Sequence, residues 1–147
     1  MPSPLSINRI LVAVQFLAAA ALVLSTRPAS VHWGTIVVSG AGLLLGFGAV
    51  LAIGPRRVSM SPEVKAETIL VTSGPYRLIR HPMYTALAML TGGLMTAPFL
   101  WWKLIVWIAL VLVLVTKSRI EERQLIDRFP GYEDYANRTA RFIPWIA

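Results

Sequence analysis

The chain has 147 residues, of which 56% are hydrophobic and only 14% charged, with a formal net charge of +7 and no cysteine; its mean hydropathy is +0.64. So few charges cannot clothe a water-facing surface, and a disordered chain would need the reverse balance. Without cysteine, disulfide frameworks, thiolate metal sites and cysteine nucleophiles are excluded.

The first apolar run, Ile10 to Ser25, is bracketed by Arg9 and Arg27 and predicts a helix over about 8–26. Its length also suits a secretory signal, although no tidy small-x-small cleavage site precedes Arg27-Pro28. The second run, Val31 to Ile53, carries no Asp, Glu, Lys or Arg and is long enough for one membrane span, since roughly 20 helical residues cross a hydrocarbon core of about 30 Å. Its glycines, Gly40, Gly42, Gly46 and Gly48, read as points of close helix approach. The third run, Met83 to Thr116, contains one charge, Lys103, and is too long for a single span. A turn at Ala97-Pro98 divides it into helices over about 83–97 and 99–122, both short for full spans, with Lys103 placed to snorkel. The expected architecture is therefore an all-α membrane protein, a single integral domain over 1–147. It has four transmembrane helices, a cytoplasmic loop over 54–82 and a cytoplasmic helical lid in the tail, 123–147.

Charge orients this arrangement. Twelve Lys and Arg residues fall on the side of the N-terminus, the loop (Arg56, Arg57, Lys65, Arg77, Arg80) and the tail, against Arg27 and Lys103 opposite. Basic residues are retained on the cytoplasmic side, which predicts both termini and the loop there. Topology and anionic head groups account for the basic excess, and a nucleic-acid partner is not needed.

Polar chemistry gathers in two stretches. The first is Gly74-Pro75-Tyr76-Arg77-Leu78-Ile79-Arg80-His81-Pro82-Met83-Tyr84. Gly74-Pro75 signals a turn, and Pro82 suits the first turn of a helix. If the segment is helical, Arg77 and Arg80 share a face able to hold a carboxylate or phosphate, and their charge pushes His81 toward neutrality. A basic loop resting on lipid phosphates, with His81 capping a helix, explains the same residues.

The second stretch starts at Lys117 and holds Glu121-Glu122 at the expected end of a helix, where two carboxylates oppose the macrodipole unless Lys117 and Arg119 compensate. Adjacent side chains on a helix diverge by about 100°, so the two glutamates should meet different partners. A solvated charge network is the plainer alternative. No regular ligand spacing points to a metal, no glycine loop to a nucleotide phosphate, and no local base activates Ser73 or Ser118.

Taken in order, the Gly74–Tyr84 run, a hydrophobic hairpin, Glu121-Glu122, Tyr132, Tyr135 and Arg141-Phe142-Ile143-Pro144 resemble the isoprenylcysteine carboxyl methyltransferase and phospholipid methyltransferase families. The resemblance spans Gly74 to Pro144. It implies S-adenosylmethionine at the cytoplasmic ends of the last two membrane helices, beneath the C-terminal lid, with a lipophilic acceptor entering from the bilayer. Carried over, Tyr76, Arg77, Arg80, His81, Pro82 and Tyr84 form one wall of the cofactor pocket and Glu121 and Glu122 the other. His81 or Glu122 would act as base where the acceptor is an amine, and Arg138 and Arg141 would hold an anionic acceptor. The chain is short for the eukaryotic carboxyl methyltransferases, so a lipid, a quinone-like molecule or a hydrophobic thiol competes with a prenylated protein as acceptor. Sterol-type membrane reductases, which use NADPH, share the C-terminal layout, and a non-catalytic membrane subunit is a third alternative.

Overall fold

In the computed structural model, which describes residues 4–54 and 70–144, every regular element is helical. Five α-helices follow in order: α1 (Pro4–Leu24), α2 (Trp33–Ile53), α3 (Pro82–Met95), α4 (Trp101–Arg128) and α5 (Tyr132–Arg138). Short 3-10 turns occupy Pro28–Ser30 and Gly74–Arg77. The charged loop residues Arg56, Arg57 and Lys65 lie outside the described residues.

Each helix ends for a local reason. α1 stops at Leu24, where Ser25 Oγ and Thr26 Oγ1 donate to Leu22 O at 3.1 and 2.9 Å and Pro28 follows. α3 begins with Pro82 at its first turn, as expected, and ends at Met95 because the Thr96 hydroxyl turns back to Gly93 O at 2.6 Å. α4 departs from expectation: it runs past Glu122 to Arg128. Its buried positions Leu110, Leu114, Ser118, Glu122 and Leu125 recur every three or four residues, so one inward stripe carries the helix on. Phe129, restricted by Pro130, closes it.

Packing pairs α2 with α3 and α1 with α4. A Cβ on Gly42 would sit 2.7 Å from the Leu90 amide nitrogen, and one on Gly93 would overlap Ser39 Oγ, so the two backbones meet at these glycines. Of the four glycines read as contact points, Gly42 is tightest, Gly46 and Gly48 touch Ala86 and Pro75, and Gly40 faces open space. Ser39 Oγ donates to Leu90 O at 3.0 Å, and the Thr35 and Thr96 hydroxyls pair at 2.8 Å. Between α1 and α4 the core is Ala18, Leu22, Leu110 and Leu114. Lys103 does not snorkel. It is fully buried and donates to Ser25 O at 3.0 Å, closing the end of the bundle where α1 stops.

The exterior is strongly apolar. Leu17, Leu24, Trp33, Leu44, Trp101, Ile105 and Leu112 are all more than half exposed. Apolar surface on this scale suits hydrocarbon and not water. Two helices among the described residues, Ile7–Leu24 and Trp33–Ile53, are long and apolar enough to cross a bilayer. α3 has 14 residues, about 21 Å of rise, and α4 is apolar only as far as Thr116.

Candidate functional site

The site forms where α3 begins, α4 emerges from its apolar stretch and the tail folds back. Gly74 adopts φ +57, which opens the 3-10 turn that redirects the chain toward α3. The following backbone binds the tail. Arg80 N–H donates to Ala140 O at 2.8 Å, His81 N–H to Arg141 O at 3.1 Å, and Ala140 N–H to Leu78 O at 3.0 Å. Thr85 Oγ1 adds a bond to Phe142 O at 2.9 Å. This strap sets Arg141 and Phe142 beside His81.

Glu122 is the centre of the charge cluster. Arg80 Nε donates to its Oε1 at 2.9 Å, and Arg141 reaches Oε2 with Nε at 3.1 Å and a terminal nitrogen at 2.5 Å. His81 Nε2 lies 3.2 Å from Oε1. The carboxyl is buried, which alone would raise its pKa, but these hydrogen bonds from His81, Arg141 and Arg80 prevail and hold it well below the usual carboxylate range. Arg80 also donates to Ala136 O at 2.5 Å and to Thr139 O, placing its guanidinium on the carbonyl end of α5, where a cation is favoured.

Glu121 behaves differently. Its Oε2 accepts from Tyr84 Oη at 3.2 Å and lies 3.6 Å from His81 Nδ1. Burial pushes its pKa up, and His81, Tyr84 and Lys117 only partly offset this. Neighbouring carboxyls thus have opposite tendencies, and one imidazole stands between them. The His81 and Tyr84 rings stack with centroids 5.4 Å apart and planes within 3°, while Phe142 tilts against His81 at 5.9 Å. Tyr135 donates to Tyr76 O at 2.7 Å, and burial pushes its phenol up to about 12, keeping it a donor.

Five of the residues singled out from sequence converge with Arg141: Arg80, His81, Tyr84, Glu121 and Glu122. Tyr76 is buried nearby and bonded through its carbonyl, and Pro82 is buried at the start of α3. Arg77 stands apart. The segment is not a continuous helix, so Arg77 is exposed and shares no face with Arg80. Arg138 is also exposed and donates to Asp134 O on its own helix. The glutamates are not at a helix end, and the cations that balance Glu122 are Arg80 and Arg141, since Arg119 faces out. His81 faces both carboxyls, and the cations near it are Arg80 and Arg141, which share Glu122 Oε1 with it, in place of the expected Arg77 and Arg80 pair. The separate partners expected for the glutamates are present, apart from the shared imidazole.

Sequence reading missed Thr85, which tethers the tail. Lys117, expected to offset the glutamates, is fully buried with Nζ 2.5 Å from Gln15 Oε1 and 5.4 Å from the Tyr84 ring centroid, and its charge acts on Glu121.

Against this cluster lies an apolar chamber of about 710 Å³, walled by α2, α3, α4 and the strap; Tyr84 belongs to both. Sites of this volume accommodate small organic ligands.

Comparison with known proteins agrees with this picture. The sequence profile of the family described as phospholipid methyltransferase matches residues 16–130. The cobalt-zinc-cadmium resistance protein CzcN of Cupriavidus metallidurans is 35% identical over 120 residues, covering 79% of this chain and 55% of its own length. The nickel-cobalt-cadmium resistance protein NccN of Alcaligenes xylosoxydans xylosoxydans is 31% identical over 120 residues, covering 79% of this chain and 56% of its own. The chain spans about half the length of these curated relatives.

Proposed function

Because this chain belongs to the phospholipid methyltransferase family, we propose that it is a membrane enzyme transferring a methyl group from S-adenosylmethionine to a lipophilic acceptor. All four helices α1 to α4 enter the bilayer, α4 as far as Thr116, with both termini and the charge cluster on the cytoplasmic face. The supporting observation is the junction at Tyr84, where a ring of carboxyl, imidazole and phenol groups meets a chamber fit for hydrocarbon.

The donor set suits this cofactor. Glu121, with its side chain about a third exposed, offers carboxyl oxygens to ribose hydroxyls or an ammonium, and a cation bound there would favour its ionised form against the burial that raises its pKa. The stacked Tyr84 and His81 offer aromatic faces to adenine or to the cation. When bound, the cofactor supplies a methyl group on a positively charged sulfur, a leaving group that needs no further activation.

The protein's part is orientation and exclusion of water, which can contribute up to about 7–11 kcal/mol when reacting groups are well aligned. Phe142 and the strap cover the cluster, and Arg80 and Arg141 fix Glu122 so that its Oε1 holds His81 in place. A base is needed where the acceptor is an amine. Glu122, engaged by three donors and poorly basic, is a positioning residue in that case, and the proton passes to His81 backed by Glu121. Arg141 belongs to the same scaffold, so an anionic acceptor would not find it unoccupied.

The relatives' names concern metal resistance in those proteins. A metal centre on this chain has no supporting arrangement among the described residues, where no group of three or more His, Cys, Asp or Glu is placed to hold an ion.

Calorimetry on the purified protein in detergent tests the reading. Saturable binding of S-adenosylmethionine, weakened by Glu121→Gln and Tyr84→Phe, is the expected result. A folded protein that binds NADPH, or neither cofactor, would overturn it.

A further inference from the structure

One polar contact reaches the cluster from across the bundle. Gln15 is the only polar residue between Arg9 and Ser25, in a helix otherwise fit for hydrocarbon. It is buried, on the face of α1 that also carries Ala18 and Leu22 toward α4. A buried amide in such a span is costly unless it is bonded. Its Oε1 accepts from Lys117 Nζ at 2.5 Å, at the point where α4 leaves its apolar stretch.

Lys117 stands between α1 and the cluster. Its Nζ lies 5.4 Å from the centroid of the Tyr84 ring, and Tyr84 Oη donates to Glu121 Oε2. An amide oxygen and an aromatic face are both electron-rich, and together they suit an ammonium better than a neutral amine. Burial pushes the lysine's pKa down, and Glu121, one helical turn on, opposes this. Apolar side chains at both positions would pack α1 on α4 at no greater cost, so packing alone does not call for the charge.

The charge has a target. Around Glu121 stand Tyr84 on α3, His81 before it, Tyr76 in the 3-10 turn, Tyr132 on α5, and Lys117 and Glu122 on its own helix. Burial and Glu122 drive the Glu121 carboxyl toward its neutral form. Arg80 and Arg141 are engaged by Glu122, and His81 is shared between the two carboxyls, whereas Lys117 acts on Glu121.

We infer that Lys117, held by Gln15, is a positioning residue that keeps Glu121 ionised and seated on Tyr84 in readiness for a cationic ligand, which makes α1 part of the site. The inference rests on the function proposed above, where that ligand is the cofactor.

The test follows Glu121 itself. In the purified protein, without cofactor, the infrared carbonyl band of a protonated carboxyl, identified by its loss in Glu121→Gln, is titrated against pH. Lys117→Gln keeps a donor for Gln15 and removes the charge. It is expected to move that titration up by at least about one pH unit, because a carboxyl without its cation holds its proton to higher pH. Lys117→Arg should leave the titration near its original place. The acid limb of S-adenosylmethionine affinity, read by calorimetry, should move up with the band. A titration that Lys117→Gln leaves unmoved, even with a lowered melting temperature, reduces Lys117 to a packing role and overturns the inference. If Lys117→Gln does not fold, Gln15→Met, which strips the ammonium of its amide acceptor, should move the band in the same direction; no movement overturns the inference. A band that moves in a protein that binds no S-adenosylmethionine would leave the role of Lys117 standing and remove the methyltransferase reading. Cofactor binding with an unmoved band would do the opposite.

Discussion

Glu121 and Glu122 are adjacent and chemically identical, yet their surroundings assign them different work. Removing the charge of Glu122 leaves Arg80 and Arg141 facing one another without their shared anion. Glu122→Gln should therefore destabilise the fold by about 2–4 kcal/mol, the cost of breaking a largely buried pair reduced for the partial exposure of Arg141. Glu121→Gln should change stability by less than about 1 kcal/mol, because Tyr84 is its main hydrogen-bond partner and an amide oxygen still accepts. Denaturation in detergent distinguishes the two.

Acid should act on the same residue. The folded-state pKa of Glu122 is depressed, so its stabilisation is fully present above the unfolded carboxylate value and is lost as pH falls toward the folded one. Melting temperature should drop below about pH 4.3, the ordinary glutamate value, and Glu122→Gln should flatten that limb. At this scale the sequence disclosed which residue types matter, because Arg80, His81, Tyr84 and the glutamates form a recognisable series. It did not disclose their pairing. That Arg141 serves Glu122, and that Arg77 and Arg138 serve neither glutamate, depends on a tail folding back across the chain, which no local spacing encodes.

Among the elements, the clearest dependence is the α2–α3 contact. Gly42→Ala should destabilise by about 1–3 kcal/mol through overpacking against the Leu90 and Ala86 backbone. Gly40→Ala, with nothing within 4 Å, should leave the melting temperature unchanged or slightly raised through better helix propensity. A result in which both variants behave alike would mean that the two helices do not meet at Gly42. Sequence reading located the glycine cluster but could not rank its members, since ranking depends on helix rotation and on Gly93 of the partner helix. Helix centres were likewise legible from the apolar runs. Ends were displaced wherever a hydroxyl turned back on the backbone, as at Ser25, Thr26 and Thr96, and α4 ran on because Glu122 is part of its buried stripe.

At the scale of the whole molecule, the account requires the α1–α2 connection and the charge cluster to lie on opposite sides of a membrane. The chain contains no cysteine, so single cysteines report cleanly. Ser30→Cys should react with an impermeant thiol reagent applied to intact cells, and Arg123→Cys only after permeabilisation. The reverse pattern would invert the topology. Composition and charge asymmetry carried this prediction without structural help, whereas the chamber was invisible to them because it is formed by four separate parts of the chain.

All three scales lead to one reaction. Membranes containing the protein, supplied with S-adenosylmethionine labelled in its methyl group, should pass label into material extractable by organic solvent, and Glu121→Gln should greatly reduce that transfer. Label that stays entirely in the aqueous phase, in membranes where the protein is folded and correctly inserted, would contradict the account.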